Sequence, residues 1–157
     1  MQKNDELIVT IDNLGANGEG VAVLDDMPIF IPFALPNEKV KIKILKVLKN
    51  FCYAKLIEII EPSKDRVAPV CPVFTKCGGC QLQHLIYAKQ LDFKRNLVAN
   101  NFKKFANISF DVSDCEPSQN EYGYRNKISI PVGVSKKQTG DQVVIENVLG
   151  LYAINSN

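Results

Sequence analysis

The sequence predicts a mainly β protein with one long helix, and three observations predict it. Short Val, Ile and Phe runs alternate with polar residues through the first 62 positions, broken by Gly, Asp-Asp, Pro and Asn turns. The stretch from Leu82 to Phe105 then holds neither Gly nor Pro. Beyond it, apolar runs return around polar turns, as in a partial α+β domain.

The elements follow in order. Glu6–Leu14 alternates weakly as a first strand, and Gly15, Gly18 and Gly20 then supply a tight turn, where positive φ costs least. Val21–Leu24 is a second strand, Asp25-Asp26 a turn, and Ile29–Pro32 a third strand. Ala34-Leu35-Pro36-Asn37-Glu38 is another turn, with Asn37 where a left-handed residue fits. Val40, Ile42 and Ile44 then alternate with Lys39, Lys41 and Lys43 on a fourth strand, and Cys52–Ile60 is the fifth. Five short strands in about 60 residues fit a small closed barrel of the oligonucleotide-binding kind. The organisation read here is a barrel over 1–62, a linker and cysteine loop over 63–81, and a helix with a partial central domain over 82–157. On the helix, Leu91, Val98, Phe102 and Phe105 fall on one side. Strands are expected at Ile108–Val112, Tyr124–Val132 and near Val148–Ile154, with a polar turn around Lys136–Asp141. The sequence ends at Asn157 directly after strand-like residues, which reads as a domain cut out of something longer.

Composition excludes several classes. With 46% hydrophobic residues and a net charge of +2, the chain is no disordered tail. No apolar run approaches a membrane span, and the polar, acidic start is unlike a targeting peptide. These readings predict a soluble cytoplasmic protein with reduced cysteines and no membrane partner. Charge is unevenly placed: residues 1–30 hold one base and six acids, whereas residues 31–110 hold fourteen bases and five acids. Such a basic middle attracts a polyanion locally.

The strongest chemical signal is Cys71-Pro72-x5-Cys77-Gly78-Gly79-Cys80. Three thiolates within ten residues can converge on one soft metal centre, and the glycine pair lets the backbone fold tightly between Cys77 and Cys80. Zinc and iron–sulfur clusters are both candidates. A zinc ribbon wants a second cysteine or histidine pair, and a 4Fe–4S cluster wants a fourth cysteine. Cys52 reads as a small buried hydrophobe and Cys115 as an accessible, idle thiol. His84, the one histidine, reads as a packing or RNA-contact residue rather than a metal ligand.

An RNA contact is argued from the lysines. Lys39, Lys41 and Lys43 share a strand face at intervals of about 6.8 Å, which resembles the phosphate pitch of an extended single strand. Lys46, Lys49 and Lys55 add charge, and Phe51 and Tyr53 offer rings for base stacking. The competing reading makes Phe51 a core residue and the lysines a device that keeps a sheet edge soluble. Arg125 and Lys127 share one face of the expected Tyr124 strand, where they would grip phosphate.

Three motifs, in order, carry a family resemblance across essentially the whole chain. Gly15-x-x-Gly18-x-Gly20-Val21-Ala22, Ile29-Phe30-Ile31-Pro32 and Ala34-Leu35-Pro36-x-Glu38 resemble a TRAM domain. Cys71-Pro72-x5-Cys77-Gly78-Gly79-Cys80-Gln81-Leu82-Gln83-His84 resembles the iron–sulfur motif of the RNA (uracil-5-)-methyltransferases acting on bacterial 23S ribosomal RNA. Tyr124-Arg125-Asn126-Lys127 is similar to the opening of that family's central domain. Asn37 departs from the family's usual Gly in its turn, a substitution the left-handed conformation tolerates. The resemblance implies that the barrel holds RNA and that Cys71, Cys77 and Cys80 are three ligands of a 4Fe–4S cluster whose fourth lies beyond this sequence. It also implies that the S-adenosylmethionine-binding domain, with the cysteine that attacks uracil C6, lies farther on, so that this chain alone does not catalyse. A reading of another class is a stand-alone RNA-binding module with a structural metal. A radical S-adenosylmethionine enzyme is disfavoured by the five-residue first gap, where C-x3-C-x2-C is usual.

Overall fold

The computed structural model describes residues 1–139 and 142–154. It divides into two compact units, Met1–Cys71 with Gln81–Ser118, and Pro72–Cys80 with Gln119–Asn157.

In the first unit the strands are β1 Glu6–Thr10, β2 Asn13–Leu14, β3 Gly20–Leu24, β4 Met27–Ile31, β5 Lys39–Val47 and β6 Cys52–Glu61. They form one sheet in the order β1-β5-β6-β4-β3-β2, in which β4 and β6 run parallel and the other pairs antiparallel. The expected first strand, Glu6–Leu14, is therefore two, and the sheet is a barrel-like ladder of six strands instead of a closed ring of five. The break has a local cause. Ile11 N–H donates to Glu38 O on the β5 side, and Asp12 N–H donates to Val21 O on the β3 side. Two neighbouring residues thus serve opposite ends of the sheet, so the strand bends between them.

Alternation decides what is inside. Val40, Ile42 and Ile44 are completely buried and pack with Val9, Ile11, Ala22, Ile29, Ile31 and Ala54. Each valine or isoleucine among them contributes about 1.5–3 kcal/mol by leaving water. Cys52 lies fully buried in the same cluster, as its apolar neighbours predicted. The Asp25-Asp26 turn has φ of 50° and 59°, the paired left-handed conformation that matches hairpin twist. Asn37 takes the expected left-handed φ, 66°. Of the three glycines in the first cluster only Gly18 takes positive φ, and a Cβ there would lie 2.9 Å from Leu82 Cδ2.

The helix, α1 Tyr87–Asn101, starts five residues later than the expected Leu82 and ends in a π-helical turn, Phe102–Ala106. Residues 82–86 are drawn onto the linker instead. Val67 N–H donates to His84 O, Ile86 N–H donates to Asp65 O, and Arg66 bridges Leu85. Gln90 Nε2 then donates to the carbonyls of Leu82 and Leu85. The expected apolar face is not a packing face: Leu91 is half-buried, whereas Val98, Phe102 and Phe105 are exposed. Phe102 packs edge-on against Phe110, at 5.1 Å between centroids.

The second unit holds one hairpin, β7 Val132–Thr139 with β8 Gln142–Leu149, paired from Val132↔Leu149 to Thr139↔Gln142. Residues 108–112 and 124–131 are irregular, because no strand among the described residues offers them a ladder partner. The Lys136–Thr139 part of the expected turn is strand, and Gly140 and Asp141 lie outside the described residues. The expected last strand near Val148–Ile154 is displaced to end at Leu149. No helix among the described residues is long and apolar enough to cross a membrane.

Candidate nucleic-acid interface and cysteine loop

The outer face of β1, β5 and β6 is where the lysines stand, and their neighbours separate them into two groups. Lys39 pairs with Glu61 at 3.1 Å and Lys41 with Glu6 at 2.8 Å. The hydrogen bond between Lys41 and Glu6 raises the lysine pKa and lowers that of the glutamate. At this end of β5 the positive charge is largely cancelled. Farther along, Lys43 faces Lys55 in register and Lys46 faces Tyr53.

Lys46 reaches that face through an irregularity. Strict alternation after Ile44 points position 46 inward with Val40 and Ile42. The register shifts between Ile44↔Ala54 and Lys46↔Tyr53, with Leu45 left over. A bulge of this kind re-aims a side chain, and Lys46 emerges exposed beside Tyr53.

Three rings lie at the same place. Phe51 stands 5.3 Å from Tyr53 and 5.5 Å from Phe30, both edge-on, and Phe30 stands 6.0 Å from Tyr53. Tyr53 is 44% exposed, while Phe30 and Phe51 are half-buried. Phe51 is therefore not a core residue, and Phe30 is a member that sequence reasoning missed. Its signal was present: an aromatic residue between Ile29 and Ile31, both fully buried, must point out of the barrel. Lys49 sits in the Leu48–Phe51 turn beside the rings, where Leu48 N–H donates to Phe51 O.

Arg125 and Lys127 lie in an irregular, exposed segment of the second unit, so they do not share the strand face expected of them.

The cysteine loop is held by backbone contacts. In the first unit, Cys71 N–H donates to Gln83 Oε1 at 3.2 Å. In the second, Cys77 N–H donates to Val73 O, and Gly78 N–H donates to Tyr152 O at 2.9 Å. Gly78 and Gly79 do not use positive φ; they permit close approach. A Cβ on Gly79 would lie 2.8 Å from Leu151 Cδ1, and one on Gly78 would lie 3.2 Å from Tyr152 O. Gly79 N–H donates to Cys77 Sγ at 3.4 Å, the kind of bond that stabilises a thiolate and tunes a cluster. Three soft thiols, one with an amide on its sulfur, are chemically suited to an iron–sulfur centre. Among the described residues, however, no three His, Cys, Asp or Glu side chains are gathered to hold a metal ion. Cys115 is half-buried in its loop.

His84 packs, as the sequence reading preferred. It is 1% exposed, with its ring 6.1 Å from that of Phe33. Burial, then the Arg66 charge, pushes its pKa down to about 4. Beside it lies an arrangement that sequence reasoning did not find. The buried carboxylate of Glu38 accepts from Arg66 Nε at 2.6 Å, Arg66 Nη2 at 2.8 Å, Leu35 N at 2.8 Å and Ser63 N at 3.2 Å. Burial alone would raise the Glu38 pKa, but the Arg66 bond and the two amides outweigh it and leave the pKa lowered. Arg66 Nη2 also donates to the carbonyl of Phe33, whose φ of 68° is costly for an aromatic residue.

Comparison with known proteins points the same way. A family model described as the TRAM domain matches residues 2–57, the span of β1 to β5 and the first part of β6. The chain is 43% identical over 136 residues to an uncharacterized RNA methyltransferase of Clostridium acetobutylicum, covering 85% of this chain and 30% of that protein. It is 46% identical over 160 residues to one of Staphylococcus epidermidis, covering 100% of this chain and 33% of that protein. Among solved structures, the tRNA (uracil-54, C5)-methyltransferase of Pyrococcus abyssi, in complex with S-adenosyl-L-homocysteine, superposes with a TM-score of 0.54 at 30% identity. That match covers 78% of this chain and 26% of that one. The chain thus resembles the N-terminal part of proteins named RNA methyltransferases, and it spans about a third of the length of the relatives it matches.

Proposed function

We propose that this chain is the RNA-holding, cluster-bearing front of a cytoplasmic, S-adenosylmethionine-dependent RNA (uracil-5-)-methyltransferase. The observation that carries the reading is the exposed end of β5 and β6, where Phe30, Phe51 and Tyr53 adjoin Lys43, Lys46, Lys49 and Lys55. Rings that accept stacked bases beside cations that accept phosphate are what a single strand of RNA needs. Lys39 and Lys41, already paired with carboxylates, contribute less. In the complete enzyme this surface holds RNA while a uridine is taken out of its stack into a catalytic domain outside this chain.

Cys71, Cys77 and Cys80 are the residues that would hold a 4Fe–4S cluster, with the fourth ligand supplied from elsewhere. Such a cluster would serve as a structural crosslink of the loop. The likeness of the cysteine motif favours 23S ribosomal RNA as the substrate.

The surface is tested by titrating a fluorescent single-stranded RNA with the protein at several salt concentrations. Lys46→Glu and Lys55→Glu are expected to weaken binding on every sequence and flatten the salt dependence, whereas Lys39→Glu changes little. Tyr53→Ala is expected to cost roughly tenfold or more, since a stacked base is worth about 1–3 kcal/mol. Unchanged binding in Tyr53→Ala and Lys46→Glu would remove the basis of the proposal. Methyl transfer by the full-length enzyme to 23S ribosomal RNA but not to transfer RNA tests the substrate. Anaerobic reconstitution with iron and sulfide, read by visible absorption and lost in Cys77→Ser, tests the cluster.

A further inference from the structure

A groove of about 540 Å³ lies within the first unit, between α1 and the turns at the β1–β2 and β4–β5 ends of the barrel. That volume falls within the ~300–1,000 Å³ usual for small-ligand sites. Its lining includes Asn13 and Asn37 from the barrel and Asn96 and Asn100 from one face of α1, with Phe93 and Lys104. Among the described residues, none of these four carboxamides makes a recorded hydrogen bond within the protein. Each keeps two N–H donors and a carbonyl acceptor unspent.

The charges along the groove narrow the ligand. Asp12, Asp65 and Asp92 line it against Lys89 and Lys104. The Asp92 carboxylate is taken by Lys89 at 2.8 Å, and that of Asp12 by Val23 N–H at 3.1 Å. A groove with three carboxylates and two ammonium groups does not attract phosphate. It suits a neutral, planar group that offers both donors and acceptors along its edge and a face for Phe93. An unpaired nucleobase has that chemistry, and a carboxamide pairs in bidentate fashion with the donor–acceptor edge of adenine.

We infer that this groove is a second RNA contact, which takes an unpaired adenine base while the sugar–phosphate chain stays outside. The inference rests on the RNA-binding function proposed above and adds base selectivity to it. The β5–β6 surface grips any strand through phosphate and stacking, and the groove reads one base.

The test uses the 157-residue protein, two 12-nucleotide single-stranded RNAs, one of mixed sequence containing adenine and one of uridine alone, and fluorescence anisotropy. The double substitution Asn96→Leu/Asn100→Leu is expected to weaken binding of the adenine-containing RNA about tenfold, leave oligouridine within twofold, and leave the salt dependence unaltered. Asn100→Ala, which favours helix, serves as a milder variant, with helix content checked by circular dichroism. Equal effects on both RNAs, or none on either, in folded variants overturn the adenine site; no effect leaves the groove to a polypeptide occupant. If the unsubstituted protein binds neither RNA, the RNA-binding function itself falls.

Discussion

Glu38 is a carboxylate with no exposed surface, and four N–H donors hold it ionised. Arg66→Ala would strand that charge, at an expected cost of about 3–5 kcal/mol in urea unfolding. The same substitution releases Phe33 O and loosens the linker from the barrel. His84 gives the unit a pH dependence of definite sign. Its ordinary pKa of 6.5 falls to about 4 on burial, so as pH drops the unfolded chain takes up the proton first. Stability is complete above pH 6.5 and declines between there and pH 4, by roughly 3 kcal/mol once that window is crossed. Glu38, also lowered, begins to withdraw its share only below its usual 4.5. Urea midpoints from pH 7.5 to 4.5 are expected to fall in the wild type and to flatten in His84→Leu; an equal slope in both would exclude the imidazole as the cause. The packing of His84 was legible in the sequence, but the pairing of Glu38 with Arg66 was not. Glu38 stood in plain view in the Ala34-Leu35-Pro36-x-Glu38 turn, but its partner is 28 positions away, and spacing reports only local neighbours.

The barrel strands show which elements a sequence can specify alone. β3 to β6 were legible because each is a short apolar run or, in β5, a clean alternation, set against a turn with its own chemistry. The helix onset was not, because Leu82–Ile86 has helical composition but spends its amides and carbonyls on Asp65–Val67. The strands expected at 108–112 and 124–132 failed for the complementary reason: a strand exists through its partner, and alternation does not name one. The bulge at Leu45 left a mark that sequence reasoning passed over: Ile44-Leu45 are adjacent apolar residues, and Lys46 falls on the parity of Val40, Ile42 and Ile44. Deleting Leu45 restores a regular period of two in which Lys46↔Tyr53 directly follows Ile44↔Ala54, so Lys46 still points out of the barrel. The deletion, like Leu45→Ala, is therefore expected to leave RNA binding near wild type, whereas Lys46→Ala, which removes the cation itself, should weaken it. Loss of binding in the deletion variant alone would mean that Lys46 needs the extra residue to stand beside Tyr53.

At the scale of the molecule, the sequence divided the chain at 62 and 81, and the structure divides it differently. Met1–Cys71 and Gln81–Ser118 form one unit, because the linker and the residues before α1 are bonded to each other and, through Arg66, to the barrel. The cysteine motif was the plainest site signal in the sequence, yet Cys71 belongs to one unit and Cys77 and Cys80 to the other. The basic, aromatic surface was legible in its parts, Lys46, Phe51 and Tyr53, and not in its limits. Those limits come from Glu6 and Glu61, whose proximity to Lys41 and Lys39 depends on strand pairing.

β5 has ladder partners on both sides, β1 and β6, whereas among the described residues β7 and β8 have only each other. Opening the first means breaking the barrel, and opening the second means fraying a two-stranded ribbon of marginal stability. Amide deuterium uptake is therefore expected to be slowest at Val40, Ile42 and Ile44 and faster by orders of magnitude along Val132–Thr139. A protease at low dose should nick residues 107–131 first and spare the barrel, which would remain as a trimmed fragment still able to grip a strand of RNA.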